Sequence, residues 1–311
     1  MEHMVRANIS IIVPTRNRAA SLRRFLSGLE KVAVPDGVIL EVLIVDNDSS
    51  DETAAVLRAA EERRWIVRGL FEARRGQSAA INCGLKESKG DLICLMDDDV
   101  VIDKRWVANI LRSYAETDFD AIQGRVLPGV DPLGKPADPA LLYQYNIPVV
   151  DYGNEFLKIR GLTGAHMTFK RKVFEKVGYF DVRLGPGAAG FSGDTEFSAR
   201  IGKAGFKMGY TPHAIVRHEL DPSRFGRRYN RMVEYRKGMS RGVYRRESIA
   251  LKVIPNLFAN CFRYCLYAVI RDRKRIFKTE GRIMKCLGYL MAKFPRLSKS
   301  AALPSSKQEL P

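Results

Sequence analysis

The sequence predicts an α/β protein: a doubly wound, mostly parallel sheet followed by a C-terminal extension of amphipathic helices. Three observations carry this expectation. Short apolar runs alternate with helical patterns through the first hundred residues, two of those runs lead directly into aspartates, and the charge changes abruptly near residue 222. Strands separated by helices pair in parallel through right-handed crossovers, because each connection must return across one face of the sheet.

Ile9–Val13 (ISIIV) is the first strand, closed by Pro14, and Leu22, Phe25, Leu26 and Leu29 follow at helical spacing. Val42–Val45 is the second. Ser49 and Glu52 then have capping-box spacing and open a helix through Val56 and Leu57. Trp65–Leu70 is a third strand, and Gly76 precedes a helix carrying Ala79, Ala80, Ile81 and Leu85. The fourth strand, Leu92–Met96, runs straight into Asp97, Asp98 and Asp99, with a helix expected near Asp103. Pro, Gly and Asp accumulate between Pro128 and Tyr152 and loosen the pattern. A helix near Phe197–Lys203 and a strand near Ala214–Val216 follow.

With 311 residues, 46% hydrophobic and 28% charged, the chain is neither collagen-like nor disordered. At ~150 residues per domain the length suggests roughly two domains. Five cysteines without a C-x-x-C pair fit neither a disulfide framework nor a zinc ribbon, and point to a reducing cytosol. The first residues lack the features of a signal peptide. Val253–Ile270 is interrupted by Pro255, Asn256, Asn260 and Arg263, whereas a membrane span needs ~20 largely apolar residues.

Residues 1–221 hold 30 Lys and Arg against 30 Asp and Glu, while residues 222–299 hold 21 against 4, so the whole net charge of +17 lies in the C-terminal block. Such a block suits an anionic partner, either a membrane surface or a nucleic acid. Leu251, Ile254, Leu257, Phe258, Cys261, Phe262, Cys265, Leu266, Val269 and Ile270 recur at helical spacing, with Lys252, Arg263, Arg271 and Lys274 opposite. A second stripe comprises Ile283, Met284, Leu287, Leu290, Met291 and Phe294. Packing on the catalytic domain would leave a solvated basic face. The membrane reading is preferred, because apolar contact and ~1 kcal/mol per basic residue near anionic lipid act together. A nucleic-acid-binding protein is the rival, but the block holds no recognisable RNA or DNA module.

Three adjacent aspartates repel one another unless a positive group compensates them. A divalent cation would do so, since Mg²⁺ takes one or two carboxylates together with substrate phosphates. An acidic turn capping the next helix is the plainer alternative. Asp46 ends the second strand on the same sheet edge, where such folds hold ligands, and is placed to meet a nucleobase or ribose. Turn chemistry explains part of Asp46-Asn47-Asp48-Ser49. An aspartyl phosphatase would need a downstream lysine and a second acidic pair that do not occur in order. A nucleotidyltransferase would show a Gly-rich loop after the first strand, and PTRNRAAS has no glycine.

Seven segments in order resemble family-2 glycosyltransferases of the GT-A fold: IIVPTRNR (11–18), VLIVDNDSSDET (42–53), RGQSAAINCGL (75–85), GDLICLMDDDV (90–100), GAHMTFKRKVFEKVGYFD (164–181), GDTEFSARIGKAGFKMGY (193–210) and AIVRH (214–218). The resemblance implies a Rossmann-like nucleotide-sugar half over residues 1–100 and an acceptor half over 101–221. A membrane-associating helical region would occupy 222–299 and a flexible tail 300–311. It assigns Pro14, Thr15, Arg16, Asn17, Asp46 and Asn47 to the nucleotide sugar, together with Gly76, Asn82 and Gly164; Ala80 and Gly84 belong to the same glycine-alanine stretch. Asp97 and Asp99 match the Asp-x-Asp element. Asp99 then ligates Mn²⁺ or Mg²⁺, Asp97 meets the ribose or a metal-bound water, and Asp98 stands on the donor side.

Asp194 matches the catalytic base. The glutamate that usually precedes it is replaced by Gly193, with Glu196 two residues on as a partial substitute. His218 matches a histidine that in some relatives binds the metal or the diphosphate; a satisfied core histidine is the alternative. His166 either touches donor or acceptor or packs internally, and Gly185-Pro186-Gly187 is either a mobile acceptor loop or a plain turn. The expectation is a metal-dependent, inverting glycosyltransferase using a UDP-linked sugar and a lipid-linked or glycan acceptor. It would lie in the cytoplasm, peripheral on the inner face of the membrane, with no nucleic-acid partner. The alternative is a basic membrane- or nucleic-acid-binding protein with a degenerate transferase domain.

Overall fold

The computed structural model describes residues 7–63, 66–131 and 133–294; Trp65 and the tail from residue 300 lie outside them. The described residues fall into two compact units. One comprises the described part of Met1–Ala137 with Ile147–Val182 and Gly193–Leu220. The other comprises Asp138–Asn146, Arg183–Ser192 and the described part of Asp221–Pro311.

The first unit is built on one sheet. Its strands are β1 (Ala7–Thr15), β2 (Val38–Asp46), β3 (Val67–Phe71), β4 (Leu92–Met96), β5 (Val100–Ile102), β6 (Ala121–Pro128), β7 (Leu157–Lys158), β8 (His166–Lys170) and β9 (Met208–His218). They are ordered β3-β2-β1-β4-β8-β6-β9-β5, with β7 also on β9. β3, β2, β1 and β4 are parallel, as the alternation predicts. Beyond β4 the sheet is mixed: β8 runs antiparallel to β4 and β6, β9 is parallel to β6, and β5 and β7 run antiparallel to β9.

The helices are α1 (Ala19–Leu29), α2 (Thr53–Arg63), α3 (Gln77–Glu87), α4 (Trp106–Glu116), α5 (Arg171–Val177) and α6 (Gly193–Lys203). One core layer joins Ile9, Ile11 and Val13 of β1 to Leu22, Phe25 and Leu29 of α1 and Trp106 and Ile110 of α4. The other joins Ile12 to Ala80, Ile81 and Leu85 of α3 and Phe197 and Ile201 of α6. Alternate residues of one strand thus feed opposite faces, which is why these strands read as unbroken apolar runs. Gly84 lets α3 settle on β1, since a Cβ there would lie 2.4 Å from Ile12 Cγ2.

Ser49 does not cap α2. Its amide donates to Asp46 Oδ1 and its hydroxyl accepts from the Asn17 amide, while Asp51 Oδ1 accepts from the Thr53 amide at the helix start. The helix expected near Asp103 begins at Trp106, with Asp103 Oδ1 holding the Arg105 amide in the preceding turn.

The second unit contains α7 (Arg227–Tyr244), a π-helical turn (Ile249–Val253), α8 (Ile254–Val269) and α9 (Arg273–Lys293). α7 and α9 meet through glycines: a Cβ at Gly238 would lie 2.1 Å from the Lys285 carbonyl oxygen, and one at Gly288 2.0 Å from that of Tyr235. Glu280, buried on α9, pairs with Arg227 and Arg231. The stripe expected on α9 is therefore not its main packing face. α9 buries Phe277, Thr279, Glu280, Gly281, Gly288 and Tyr289, whereas Leu287 and Phe294 are exposed. Gly185-Pro186-Gly187 belongs to this unit; Gly190 and Ala188 return amides to the Gly185 carbonyl, and Ser240 of α7 holds Ala189 and Phe191. Among the described residues no helix is long and apolar enough to cross a membrane.

Candidate active site

The carboxyl-end edge of the parallel strands gathers the acidic residues. Thr15 and Asp46 are direct neighbours across β1 and β2. Ile12 pairs with Leu95 across β1 and β4, so continuing that register brings Thr15 beside Asp98, and the Thr15 hydroxyl donates to Asp98 Oδ2 at 2.6 Å. Asp98 Oδ1 accepts from Arg18 Nη1 at 2.9 Å, and the same nitrogen donates to Asp99 Oδ2 at 2.5 Å. Both oxygens of buried Asp98 are thereby engaged. Part of the compensation that three aspartates require comes from Arg18, whose pKa the two carboxylates raise against the opposing effect of burial. Arg18, immediately after the PTRN turn, is the functional residue that sequence reasoning misses; its signal is a second cation beside Arg16 on the same edge as the acidic run.

The remaining acidic oxygens face a histidine. Val100 pairs with His218 across β5 and β9, and the Glu219 amide donates to the Asp99 carbonyl. His218 Nε2 lies 3.1 Å from Asp99 Oδ1. Its Nδ1 is 2.9 Å from the Glu219 carbonyl oxygen, which can only accept. With Nδ1 donating to that carbonyl, Nε2 is the nitrogen that faces the carboxylate, and in the neutral tautomer its lone pair is open to a cation. Asp97, Asp99 and His218 each offer a ligand atom, all within 4.8 Å of one another. Two carboxylates and a neutral imidazole suit a divalent cation such as Mn²⁺ or Mg²⁺. Asp97 Oδ1 also accepts from Gln77 Nε2 at 3.2 Å. Withdrawal from solvent and the Asp99 charge push the Asp97 carboxyl up to about 7, with His218 and Arg18 acting the other way. Burial likewise raises Asp98.

Asp194 sits in the first turn of α6. Its Oδ2 accepts from the Gly164 amide at 3.2 Å and its Oδ1 from the Thr195 amide at 2.7 Å. One residue beyond Gly164, the Ala165 carbonyl accepts from the Asp97 amide at 3.4 Å. A single turn, 163–166, thus ties the carboxylate of α6 to the acidic end of β4. Gln123 steadies that turn, accepting from the Thr163 amide and donating to the His166 carbonyl.

A family model described as "Glycosyl transferase family 2" matches residues 10–178. The chain belongs to this family. It is 25% identical over 219 residues to "Probable glycosyltransferase YdaM" of Bacillus subtilis (67% of this chain, 50% of that one). It is 35% identical over 94 residues to an undecaprenyl-phosphate 4-deoxy-4-formamido-L-arabinose transferase of Pseudomonas aeruginosa (30% of this chain, 28% of that one). The chain therefore spans half or less of these relatives' lengths. Among solved structures, the mannosyltransferase PcManGT of Pyrobaculum calidifontis superposes with a TM-score of 0.56 at 18% identity, over 96% of this chain and 76% of that one. TarS 1-349 of S. aureus gives 0.52 at 13% identity, over 93% and 92%. These likenesses establish the GT-A fold.

In this family member the anticipated site residues separate into two groups. Thr15, Asp97, Asp98, Asp99 and His218 converge, and Gly164 and Asp194 join them through the 163–166 turn. Others hold the surrounding loops. Asn47 donates to the Glu72 and Arg74 carbonyls and accepts from the Gly76 amide. Asn82 exchanges two hydrogen bonds with the backbone of Phe180. Asn17, at φ 53, accepts from the Ser50 amide, and Arg16 reaches the Asp48 carbonyl at 3.4 Å. Asp46 folds its own turn through Ser49, Pro14 is buried in β1, and Gly76 opens α3 at φ 136.

His166 is an internal packing residue. It is fully buried, accepts from Trp106 Nε1 at 2.7 Å, and fills the space over Gly124, where a Cβ would fall 1.8 Å from its Cε1. Burial holds its pKa down to about 3, so the ring is neutral. Glu196 does not replace the missing glutamate: it forms a forked pair with Arg200, which also binds the Val177 and Tyr179 carbonyls. At Gly193 a Cβ would lie 3.2 Å from the Ser78 hydroxyl, so Ser78 crowds the position where the family carries that side chain.

Proposed function

We propose that this glycosyltransferase transfers a sugar from a UDP-linked donor to a hydroxyl of a lipid-linked or surface-glycan acceptor, by a single displacement with inversion. Asp97, Asp99 and His218 would hold Mn²⁺ or Mg²⁺. The link between Asp194 and Asp97 through Gly164 and Ala165 carries this reading. It places a carboxylate beside the donor cluster without making it part of that cluster.

Asp194 accepts the proton of the acceptor hydroxyl as its oxygen attacks the anomeric carbon, help worth ~10²–10⁴-fold. The Gly164 and Thr195 amides orient the carboxylate for that transfer. When bound, the cation supplies Lewis-acid neutralisation of the diphosphate leaving group. Arg18 and Thr15 keep Asp98 out of the ligand set and hold Asp99 in place. Pro14, Arg16, Asn17, Asp46 and Asn47 frame the nucleoside side through their loops, together with Gly76 and Asn82. The choice of donor draws support from GalNAc-T7, solved with UDP, GalNAc and Mn²⁺, and TarS, solved with UDP; PcManGT carries GDP-Man and Mn²⁺. The undecaprenyl-phosphate substrate in a relative's name supports a lipid-linked acceptor. With the basic C-terminal block it also supports peripheral action on the inner face of a membrane.

A donor screen tests the reading: thermal shift and slow hydrolysis with UDP, GDP and dTDP sugars, with and without Mn²⁺, on wild type and Asp99→Ala. Metal-dependent stabilisation by UDP sugars, lost in the variant, is expected. A response to GDP sugars alone would replace the donor, and no response to any nucleotide would remove the transferase mechanism.

A further inference from the structure

The side of α8 that faces its own bundle is polar, and the side that faces solvent is apolar. Asn260 is the residue that α8 buries, and its amide donates to the Asn256 carbonyl. Four residues on, the Tyr264 hydroxyl accepts from Arg227, and the Tyr267 ring lies under the Arg275 guanidinium. Outward, Leu251 is 85% exposed, Phe258 69%, Phe262 72% and Val269 80%, with Ile254, Leu266 and Ile270 also exposed. Their spacing of three to four residues puts them on one face. A helix packed for water buries such a stripe, and contiguous exposed apolar surface of this kind marks an interaction site.

We propose that this outward face of α8 inserts into the interfacial layer of an anionic lipid bilayer, with the helix axis in the membrane plane. The inference rests on the reading that the enzyme works at a membrane, and assigns that contact to α8 rather than to the α9 stripe.

Charge decides the occupant. From Ser248 to Arg271 there is no Asp or Glu; Lys252 is held by Glu247 and Arg275 by Asp272, while Arg263, Arg271, Arg273 and Lys274 add positive charge along the same stretch. A second copy laid on this face would set cation against cation with no carboxylate from α8 to answer. A layer of headgroup phosphates answers Arg263, Arg271, Arg273 and Lys274. Arg263 lies at the border of the stripe, where a long basic side chain reaches headgroups while the helix sits lower. At ~1.5 Å per residue the 16 residues of α8 extend about 24 Å, enough to lie along a surface. Among the described residues no helix meets the requirement for a span.

The test uses the whole protein. Flotation with vesicles of phosphatidylglycerol and phosphatidylcholine is compared with phosphatidylcholine alone, for wild type and Phe258→Glu/Phe262→Glu. A separate Phe262→Trp variant reports insertion by its emission and by quenching from brominated acyl chains. The expected result is binding that needs the anionic lipid, about tenfold or more weaker in the double variant, with a blue shift and quenching at position 262. The nucleotide-sugar thermal shift of the double variant serves as the folding control. Vesicle binding that is equal in wild type and double variant, with no quenching, would move the membrane contact elsewhere and overturn the assignment. No vesicle binding by wild type would remove the membrane reading itself, while an intact nucleotide response would leave the transferase reading standing. A wild-type dimer that the double variant dissolves would make a second copy the occupant instead.

Discussion

Replacing Arg18 with methionine keeps most of the aliphatic bulk and removes one positive charge from a group of three carboxylates. Arg18 Nη1 lies 2.9 Å from Asp98 and 2.5 Å from Asp99, whose side chains are both 5% exposed. Removing one member of a buried pair costs about 3–5 kcal/mol, because the other is left uncompensated. The Arg18 side chain is 20% exposed, and protonation can relieve the aspartates, so a loss of about 2–3 kcal/mol at pH 8 is expected. For a unit of about 200 residues this lowers the melting temperature by roughly 5–10 °C. The deficit has a predictable sign with pH. Asp97 is raised to about 7 in the fold, and Asp98 is also raised. Carboxyls raised on folding bind protons that the unfolded chain has released, so stability falls as pH climbs from about 4 through the folded value, and returns on acidification. The Arg18→Met deficit should therefore shrink between pH 8 and pH 6. Mn²⁺, which would replace part of the lost positive charge, should stabilise the variant more than wild type. Scanning fluorimetry at both pH values, with EDTA or Mn²⁺, measures all three effects. A variant that melts with wild type at pH 8 in EDTA, or whose deficit grows on acidification, would refute the role of Arg18 as counter-charge.

Three further outcomes follow from the geometry. Asp194→Asn should lower kcat by ~10²–10⁴ while the nucleotide-sugar thermal shift survives; a variant with wild-type turnover would take Asp194 out of the proton transfer. Gly238→Ala drives a methyl group against the Lys285 carbonyl, 2.1 Å from the Cβ position. It should cost the helical unit about 1–3 kcal/mol, seen as earlier loss of helical circular dichroism, whereas an unchanged melt would mean the helices can separate freely. His166→Gln retains an acceptor for Trp106, and because His166 is held down to about 3, the pH–rate profile above pH 5 should keep its inflections; a vanished one would assign His166 a catalytic proton.

What could be read from the sequence was what periodicity encodes. Leu92–Met96 is buried along its whole length, so an unbroken apolar run marked it to the residue. Strand direction leaves no such mark, and β8, which turns the sheet antiparallel, is buried from His166 to Phe169 but has His166 and Thr168 among those positions, so no unbroken apolar run marks it. β5 is three residues long and continues the acidic run without a turn signal. α7 went unseen because its buried positions are Asn230, Val233, Gly238, Ser240 and Gly242. Close backbone contact, rather than an apolar stripe, docks that helix, and the same contact leaves the α9 stripe outside the most buried face of α9. At the site, Asp97, Asp99 and His218 were identifiable from strand ends and family likeness. Arg18 was not, because the charge argument supplied only a cation from solution, and the loop-holding parts of Asn47 and Asn82 depend on partners 25 to 98 residues away.

The charges of the cluster show why its residues divide as they do. With Asp97, Asp98 and Asp99 ionised, Arg18 cancels one charge, leaving two negative charges at one strand end beside His218. Repulsion of that size, withdrawn from water, accounts for the raised Asp97. A single divalent ion matches the deficit, and the hydrogen bonds determine where it would fit. Asp98 has given both oxygens to Thr15 and Arg18, and Asp99 has given Oδ2 to Arg18 while Oδ1 faces His218 Nε2 at 3.1 Å. A cation within reach of both would use Oδ1 of Asp99 and Nε2 of His218 as ligands. The middle aspartate of the run is thus a brace, and the flanking Asp97 and Asp99 would be the ligand pair.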